Sequence, residues 1–186
     1  DAVPEAKKST LREPRVKVGA ESKIGMAASI GERFGSAVSS FKQTLAAWNP
    51  SGSQAPIDFN LISQEALRSQ PPDVADCLRR IEGYWIEIGK GGVVVTSATP
   101  LGLLRGLTML EGLVGKGKGM LGNGRVLDWP DLKIRALHIP LVTNAAEVEE
   151  VIRLARRQHF NTLIVQTRRM VRLASMKGLA LKGNAW

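Results

Sequence analysis

In the segment VLDWPDLKIR, residues 126–135, one pattern of apolar residues ends and another begins. Before this joint, short alternating strands and amphipathic helices follow one another. After it, a nearly continuous apolar strand is followed by a helix and a second apolar strand. The change of pattern predicts two structural units that meet at residues 130 and 131.

The residues before the joint predict an α+β domain over residues 15–130, preceded by a polar tail over residues 1–14. Between Ile24 and Trp48, apolar residues recur at steps of three and four, which is typical of a long amphipathic helix. Only packing of its apolar stripe would hold this helix, because several glycines lower its intrinsic propensity.

A hairpin and a second helix complete this domain. The segments IDFNLI (57–62) and YWIEI (84–88) alternate as half-buried strands, and GKGG (89–92) predicts a turn into a partner strand. Thr99 and Pro100 are the residue types preferred at the start of a helix. The order of elements predicts a small sheet with helices on one face.

Residues 131–186 predict the first βαβ unit of an incomplete (β/α)8 barrel. The strand Ile134–Val142 is almost wholly apolar, as a strand buried on both faces would be. Asn144 and Glu147 form a capping box that begins a helix, and NTLIVQ (161–166) is a second buried strand. A complete barrel needs ~250 residues, so most of it would lie outside this sequence.

The composition narrows the classes of partner. The net charge is +9, but the cations are spread along the chain and aromatic residues make up only 5%, which argues against nucleic acid. No apolar run approaches the ~20 residues of a membrane-spanning helix, so no membrane partner is expected. The single cysteine, Cys77, leaves the compartment open; the protein would be periplasmic or secreted if a signal peptide had been removed.

The sequence predicts no metal site, no cofactor and no catalytic pair. His138 and His159 are too few and too far apart for a metal cluster. The run GLVGKGKG (112–119) has the spacing of a phosphate-binding loop, but glycine stands where such a loop has Ser or Thr. Glu149 and Glu150 are adjacent on a helix, so their side chains diverge and cannot act together as a catalytic acid and base.

Arg135 is the one candidate site residue. A charged side chain at the start of so apolar a strand must be paired or face a cavity. It could form a salt bridge with Asp128 or Asp131, or it could clamp a ligand at the mouth of a barrel. The residues alone favour neither interpretation.

Three motifs, taken in order, resemble glycoside hydrolase family 20, the β-N-acetylhexosaminidases. EGYWIEI (82–88) resembles the family's E-G-Y-x-L-x-I strand, and GLLRGLTMLEGL (102–113) is similar to its G-x-x-x-G-x-x-T-L-x-Q-L helix. Asp128-Trp129-Pro130 followed by Arg135 resembles D-x-P…R-G, the entry to the catalytic barrel. The resemblance spans residues 14–166.

The resemblance implies a non-catalytic α+β domain that supports a barrel cleaving terminal N-acetylhexosamine from glycans. In the family, the acetamido oxygen of the substrate is the nucleophile, assisted by an Asp-Glu pair on a later barrel strand. No Asp-Glu dipeptide occurs in this sequence, so no catalytic residue is predicted here and the chain itself should be inactive. Arg135 matches the arginine that holds sugar hydroxyls, which makes it the predicted substrate-binding residue.

Departures from the family pattern keep alternatives open. Pro140 and Thr143 stand where the family has Asp and Arg, which indicates a divergent member. The chain could instead belong to another glycosidase, such as an α-glucuronidase-like enzyme. It could also be a stand-alone basic binding or assembly module for glycan or nucleic acid. Unfinished barrel strands predict self-association of the chain.

Overall fold

The computed structural model describes residues 6–50, 55–139, 144–165 and 180–181. The chain divides into two compact units, Asp1–Pro130 and Asp131–Trp186. Each unit has its own sheet.

The first unit contains seven strands and five helices among its described residues. The strands are β1 (Lys8–Ser9), β2 (Arg12–Lys17), β3 (Ile24–Met26), β4 (Ile57–Leu61), β5 (Tyr84–Gly89), β6 (Gly92–Ser97) and β7 (Met120–Asp128). The helices are α1 (Ala28–Arg33), α2 (Gly35–Trp48), α3 (Gln64–Arg68), α4 (Pro72–Leu78) and α5 (Pro100–Lys116).

The seven strands form one mixed sheet in the order β1-β7-β5-β6-β4-β3, with β2 also paired to β7. Strands β3, β4 and β6 are parallel, whereas β5 is antiparallel to both β6 and β7. The predicted hairpin is confirmed: β5 turns into β6 where Gly89 pairs with Gly92. The φ of Gly92 is +122°, a conformation that side chains other than glycine rarely adopt.

One face of this sheet carries the main core. Tyr84, Ile86 and Ile88 of β5 are fully buried on it, as their alternation predicts. Helices α2 and α5 cover this face and pack against each other. At the start of α5, the Thr99 Oγ1 accepts a hydrogen bond of 3.0 Å from the Gly102 N–H, which confirms the predicted cap.

The prediction that helices cover only one face is wrong. A second apolar cluster lies around Leu127, whose side chain points to the face opposite its neighbour Val126. Helix α4 packs there through Val74 and Leu78. With seven residues, α4 is too short to show a clear helical period in the sequence.

Two further predictions differ from the structure near the amino terminus. The region 1–14, predicted as a tail, contains β1 and the first part of β2, both antiparallel to β7. The predicted helix from Ile24 begins only at Ala28, because Ile24–Met26 pairs in parallel with β4. Backbone groups make both pairings, so they need no apolar pattern of side chains.

The second unit is a small parallel sheet with one described helix. Its elements are β8 (Ala136–Ile139), α6 (Ala145–Arg157), β9 (Thr162–Val165) and β10 (Ala180–Leu181), and the strand order is β10-β9-β8. The predicted cap of α6 is confirmed, since Oδ1 of Asn144 accepts a 3.0 Å hydrogen bond from the Glu147 N–H. Strands β8 and β9 with α6 between them form the predicted βαβ unit.

The first strand of this unit is less buried than predicted. Along β8 the residues alternate between exposed and half-buried, whereas the apolar run predicts burial on both faces. Leu163 of β9 is buried. The predicted strand residues 140–142 and Gln166 lie outside the described residues, as does Thr143.

Candidate functional site

Arg135 lies immediately before β8, at the amino-terminal end of the parallel sheet. Its N–H donates to Oδ1 of Asn161 over 2.9 Å, and its carbonyl oxygen accepts from the N–H groups of Asn161 and Thr162 at 3.0 and 3.2 Å. These backbone contacts attach Arg135 to the first residues of β9. They begin the ladder in which Ala136 pairs with Thr162.

The guanidinium of Arg135 donates to two backbone carbonyls. Nε is 2.6 Å from the His159 oxygen and Nη1 is 2.6 Å from the Leu132 oxygen. His159 follows α6 with a φ of +58°, so the arginine links the turn after the helix to the segment before β8. The residue is half-buried, and its geometry gives it a bracing role at the start of the sheet.

At the end of the first unit, Asp128 lies in a buried polar cluster. Its Oδ2 accepts a 2.9 Å hydrogen bond from the Tyr84 hydroxyl, and its Oδ1 accepts one of 3.3 Å from the Lys7 N–H. The Cys77 thiol lies 3.3 Å from the Tyr84 carbonyl and 3.4 Å from the Asp128 carbonyl, and it donates towards both. Residues from α4, β5, β7 and the segment before β1 therefore meet at this point.

Burial sets the ionisation of this cluster. It raises the pKa of Asp128 above the usual 3.8, although hydrogen bonds from Tyr84 and Lys7 lower it in part. Burial, together with the charge of Asp128, raises the pKa of Tyr84 well above 10. Burial raises the pKa of the Cys77 thiol to about 11. The thiol and phenol are thus neutral at pH 7, and a buried neutral thiol is a poor nucleophile.

Trp129 lies directly after Asp128 and is contacted by two cations. The Lys7 Nζ is 5.7 Å from the centre of a Trp129 ring, and the Arg80 Cζ is 5.1 Å from it. Such contacts orient both the ring and the cations. Together with Asp128, they hold the last residues of the first unit against its sheet.

The two family-like motifs meet through a buried ion pair. Nε of Arg105 is 2.6 Å from Oε2 of Glu82, and the two side chains are 4% and 6% exposed. Between these motifs α5 runs close to the sheet: a Cβ on Gly102 would lie 2.4 Å from the Gly83 carbonyl, and one on Gly106 would lie 2.4 Å from Val95 Cγ1. The glycines of GLLRG thus permit this close approach.

Two concave regions adjoin β3, one at Met26 and the other at Ile24. One is apolar and includes Met26, Phe34 and Phe59. The other is a cleft of about 290 Å³ whose polar side chains are Ser22 and Lys42. Neither lining contains the acid and base that hydrolysis requires.

Sequence reasoning singled out Arg135 but missed the Asp128 cluster. Tyr84 and Asp128 are 44 residues apart, and only the register of β5 with β7 brings them together. Among the described residues no group of three or more His, Cys, Asp or Glu side chains is placed to hold a metal ion. Within the same residues, no helix is long and apolar enough to span a membrane.

Comparisons with known proteins show a similar fold in solved glycosidase structures. No protein-family model matches the chain, and no curated protein matches it. The β-hexosaminidase of Streptomyces plicatus, solved with GlcNAc, matches with a TM-score of 0.67 and 17% identity over 88% of this chain and 33% of that chain. The family 20 exo-β-N-acetylglucosaminidase of Vibrio harveyi, solved with N-acetylglucosamine, matches with a TM-score of 0.62 and 11% identity. This match covers 88% of this chain and 25% of that chain.

A third solved structure carries a different family number. CpGH84B matches with a TM-score of 0.62 and 18% identity over 91% of this chain and 30% of that chain. The chain therefore spans about a quarter to a third of these proteins. At such identities the likeness establishes the fold: a mixed α/β arrangement similar to part of the family 20 β-hexosaminidases.

Proposed function

We propose that this chain is the amino-terminal part of a glycoside hydrolase of the β-N-acetylhexosaminidase type. Residues 15–130 would form a non-catalytic domain, and residues 131–186 would begin a (β/α)8 barrel that carries the chemistry further along. The glycan would bind to that barrel, and the chain by itself would be inactive.

The extent of the structural match supports this proposal most directly. The match covers 88% of this chain, so it extends beyond the first unit into the second. It covers only 25–33% of each of the two family 20 chains compared above. The motif residues also have structural roles: Glu82 and Arg105 pair in the interior, and Asp128 ends β7, the last strand of the first unit. A supporting domain needs a stable core rather than a reactive site, and the first unit has that character.

The second unit supports the barrel part of the proposal. A right-handed βαβ repeat is the building block of barrels and of doubly wound sheets. Strands β8, β9 and β10 are all parallel, as consecutive barrel strands would be. A doubly wound sheet would share this local pattern, so closure of the sheet into a barrel in a longer product distinguishes the two folds.

For Arg135, a sugar contact remains a proposal beside its bracing role. Barrel enzymes hold substrates at the carboxyl ends of their strands, whereas Arg135 precedes β8. Its bonds to the carbonyls of Leu132 and His159 favour bracing. In a longer active product, Arg135→Lys would raise KM selectively if the residue touches sugar, but would lower stability with KM unchanged if it braces.

Hydrolysis of a chromogenic N-acetylglucosaminide tests the proposed function. We expect a product that continues past residue 186 to be active and the 186-residue chain to be inactive. Activity in the short chain would contradict the placement of the chemistry. Inactivity of the longer product on this and on other glycosides would remove the enzymatic proposal.

Another glycosidase is the second candidate. The match to CpGH84B shows that this fold is not confined to structures named as family 20. Pro140 and Thr143 replace residues of the family 20 pattern, which also fits a different sugar. Release of product from a chromogenic glucuronide, but not from the N-acetylglucosaminide, would favour an α-glucuronidase-like enzyme.

A further inference from the structure

The sheet face opposite α2 and α5 collects cations around two tryptophans in the first unit. We call this surface the basic face. Its members are Lys7, Lys8, Arg80, Arg125, Trp85 and Trp129.

Strand register places these side chains on one surface. Leu127 is the direct partner of Trp85 on one side and of Lys8 on the other, so the three side chains point the same way. Arg125 lies two residues before Leu127 and therefore shares this face, where its own partner is Glu87. Lys8 and Arg125 are diagonal neighbours across β1 and β7, and residues so placed are about 7–8 Å apart.

The tryptophan rings fix the positions of the cations. The Arg125 Cζ lies 5.6 Å from the centre of a Trp85 ring, while Arg80 and Lys7 flank Trp129. Cations held against rings lose less side-chain entropy when they bind an anion than freely moving ones would. Lys7, Lys8, Arg80 and Arg125 are all exposed, so they are accessible to a ligand.

The net charge of the first unit is smaller than the charge of the four cations gathered here. Residues 1–130 contain 16 lysines and arginines and 13 aspartates and glutamates, which leaves a net charge of only +3. Four cations lie on the basic face. The acidic partner there is Glu87, 3.6 Å from Arg125, with both side chains about half exposed; such an exposed pair is weak.

We propose that the basic face binds an acidic polysaccharide through its regularly spaced sulfate or carboxylate groups. Single-stranded nucleic acid is bound by stacking bases on open aromatic rings, but cations already cover Trp85 and Trp129. The surface is thus suited to anionic groups rather than to bases. This inference goes beyond the proposed glycosidase function and does not depend on it.

Titration of the full chain with heparin tests the proposal, with neutral dextran and single-stranded DNA as comparison ligands. We expect binding to heparin that weakens as salt rises, weaker binding to DNA, and none to dextran. The double variant Arg80→Gln, Arg125→Gln should lower the affinity for heparin about tenfold. The matched variant Lys42→Gln, Lys116→Gln removes the same charge from the helices and should change it less than about twofold.

Three results would overturn the proposal. Equal losses in the two double variants would show that heparin responds to net charge alone. Tighter binding to DNA than to heparin would indicate a nucleic-acid surface. Loss of binding only after Arg168, Arg169 and Arg172 are replaced would place the site in the second unit.

Circular dichroism would confirm that the variants remain folded. If replacing Arg125 disturbs folding, the pair Lys8→Gln, Arg80→Gln leaves the Arg125–Glu87 contact intact. This pair should also lower the affinity for heparin about tenfold. A loss equal to that of Lys42→Gln, Lys116→Gln would again overturn the proposal.

Discussion

Tyr84 donates its hydroxyl hydrogen to Oδ2 of Asp128 over 2.9 Å inside the first unit, and the two residues are also direct partners across β5 and β7. Tyr84 begins β5, and Asp128 ends β7. This bond therefore joins β5 to β7 at the end of the sheet that lies next to the end of the first unit. Its contribution to stability can be measured directly, because Tyr84 is the single tyrosine of the chain.

Replacement of Tyr84 by phenylalanine should lower the free energy of unfolding by about 1–2 kcal/mol. The change keeps the ring but leaves a buried carboxylate oxygen without its donor. Urea unfolding followed by circular dichroism measures the effect. The matched change Phe59→Tyr adds a hydroxyl elsewhere in the core and tests whether the Asp128 site is specific; an unchanged midpoint for Tyr84→Phe would contradict the assignment.

The raised pKa of Asp128 predicts how stability varies with pH. The folded state holds the proton of this carboxyl more tightly than the unfolded state, whose pKa is near 3.8. The stabilisation that comes from binding this proton is complete below pH 3.8. It is lost as the pH rises through the higher folded-state pKa.

The variant Asp128→Asn isolates this linkage. We expect the stability difference, native chain minus variant, to decrease as the pH rises from below 3.8 and then to level off. Unfolding free energies of both proteins over a series of pH values provide the comparison. A difference that increases with pH would mean that hydrogen bonds, rather than burial, dominate this carboxyl.

Removal of one partner of the buried Glu82–Arg105 ion pair should greatly lower the free energy of unfolding. Arg105→Met leaves the buried carboxylate of Glu82 without its cation and should cost about 3–5 kcal/mol. The double variant Glu82→Leu, Arg105→Met should recover most of this loss, because no unpaired charge remains. Denaturant unfolding measures both.

An exposed ion pair supplies the control. Arg79 and Asp76 are 2.7 Å apart with both side chains more than half exposed, so Arg79→Met should cost less than about 1 kcal/mol. Equal costs at the two sites would show that burial does not govern the Glu82–Arg105 pair.

The second unit predicts self-association of the chain. Among the described strands, β8 is an outer strand of its sheet, and outer strands can pair with another copy. Sedimentation over a range of concentrations should show species larger than a monomer, and Leu137→Lys should reduce them. Leu154→Lys, at a half-exposed position of α6, should not change them. A monomer at every concentration would count against this prediction.

Sequence reasoning found those elements whose signals are local. Tyr84, Ile86 and Ile88 alternate because one side of β5 faces the core, and Thr99 with Pro100 marks the start of α5. Strand β1 gave no such signal, because the polar residues there pair through backbone groups. Helix α3 has only five residues and cannot show a helical period.

The candidate site was predictable only in part. The position of Arg135 at the start of a strand followed from the apolar run after it. Its partners did not, because the carbonyls of Leu132 and His159 carry no side-chain signature. The Asp128 cluster depends on residues from four separate segments, which only tertiary structure brings together.

An experimental structure of a product that continues past residue 186 would show whether the second unit begins a catalytic barrel. The account predicts that β8, β9 and β10 are consecutive strands of a closed barrel of eight parallel strands, with an adjacent Asp-Glu pair at the carboxyl end of a later strand. An open doubly wound sheet, or a closed barrel without that pair, would contradict it.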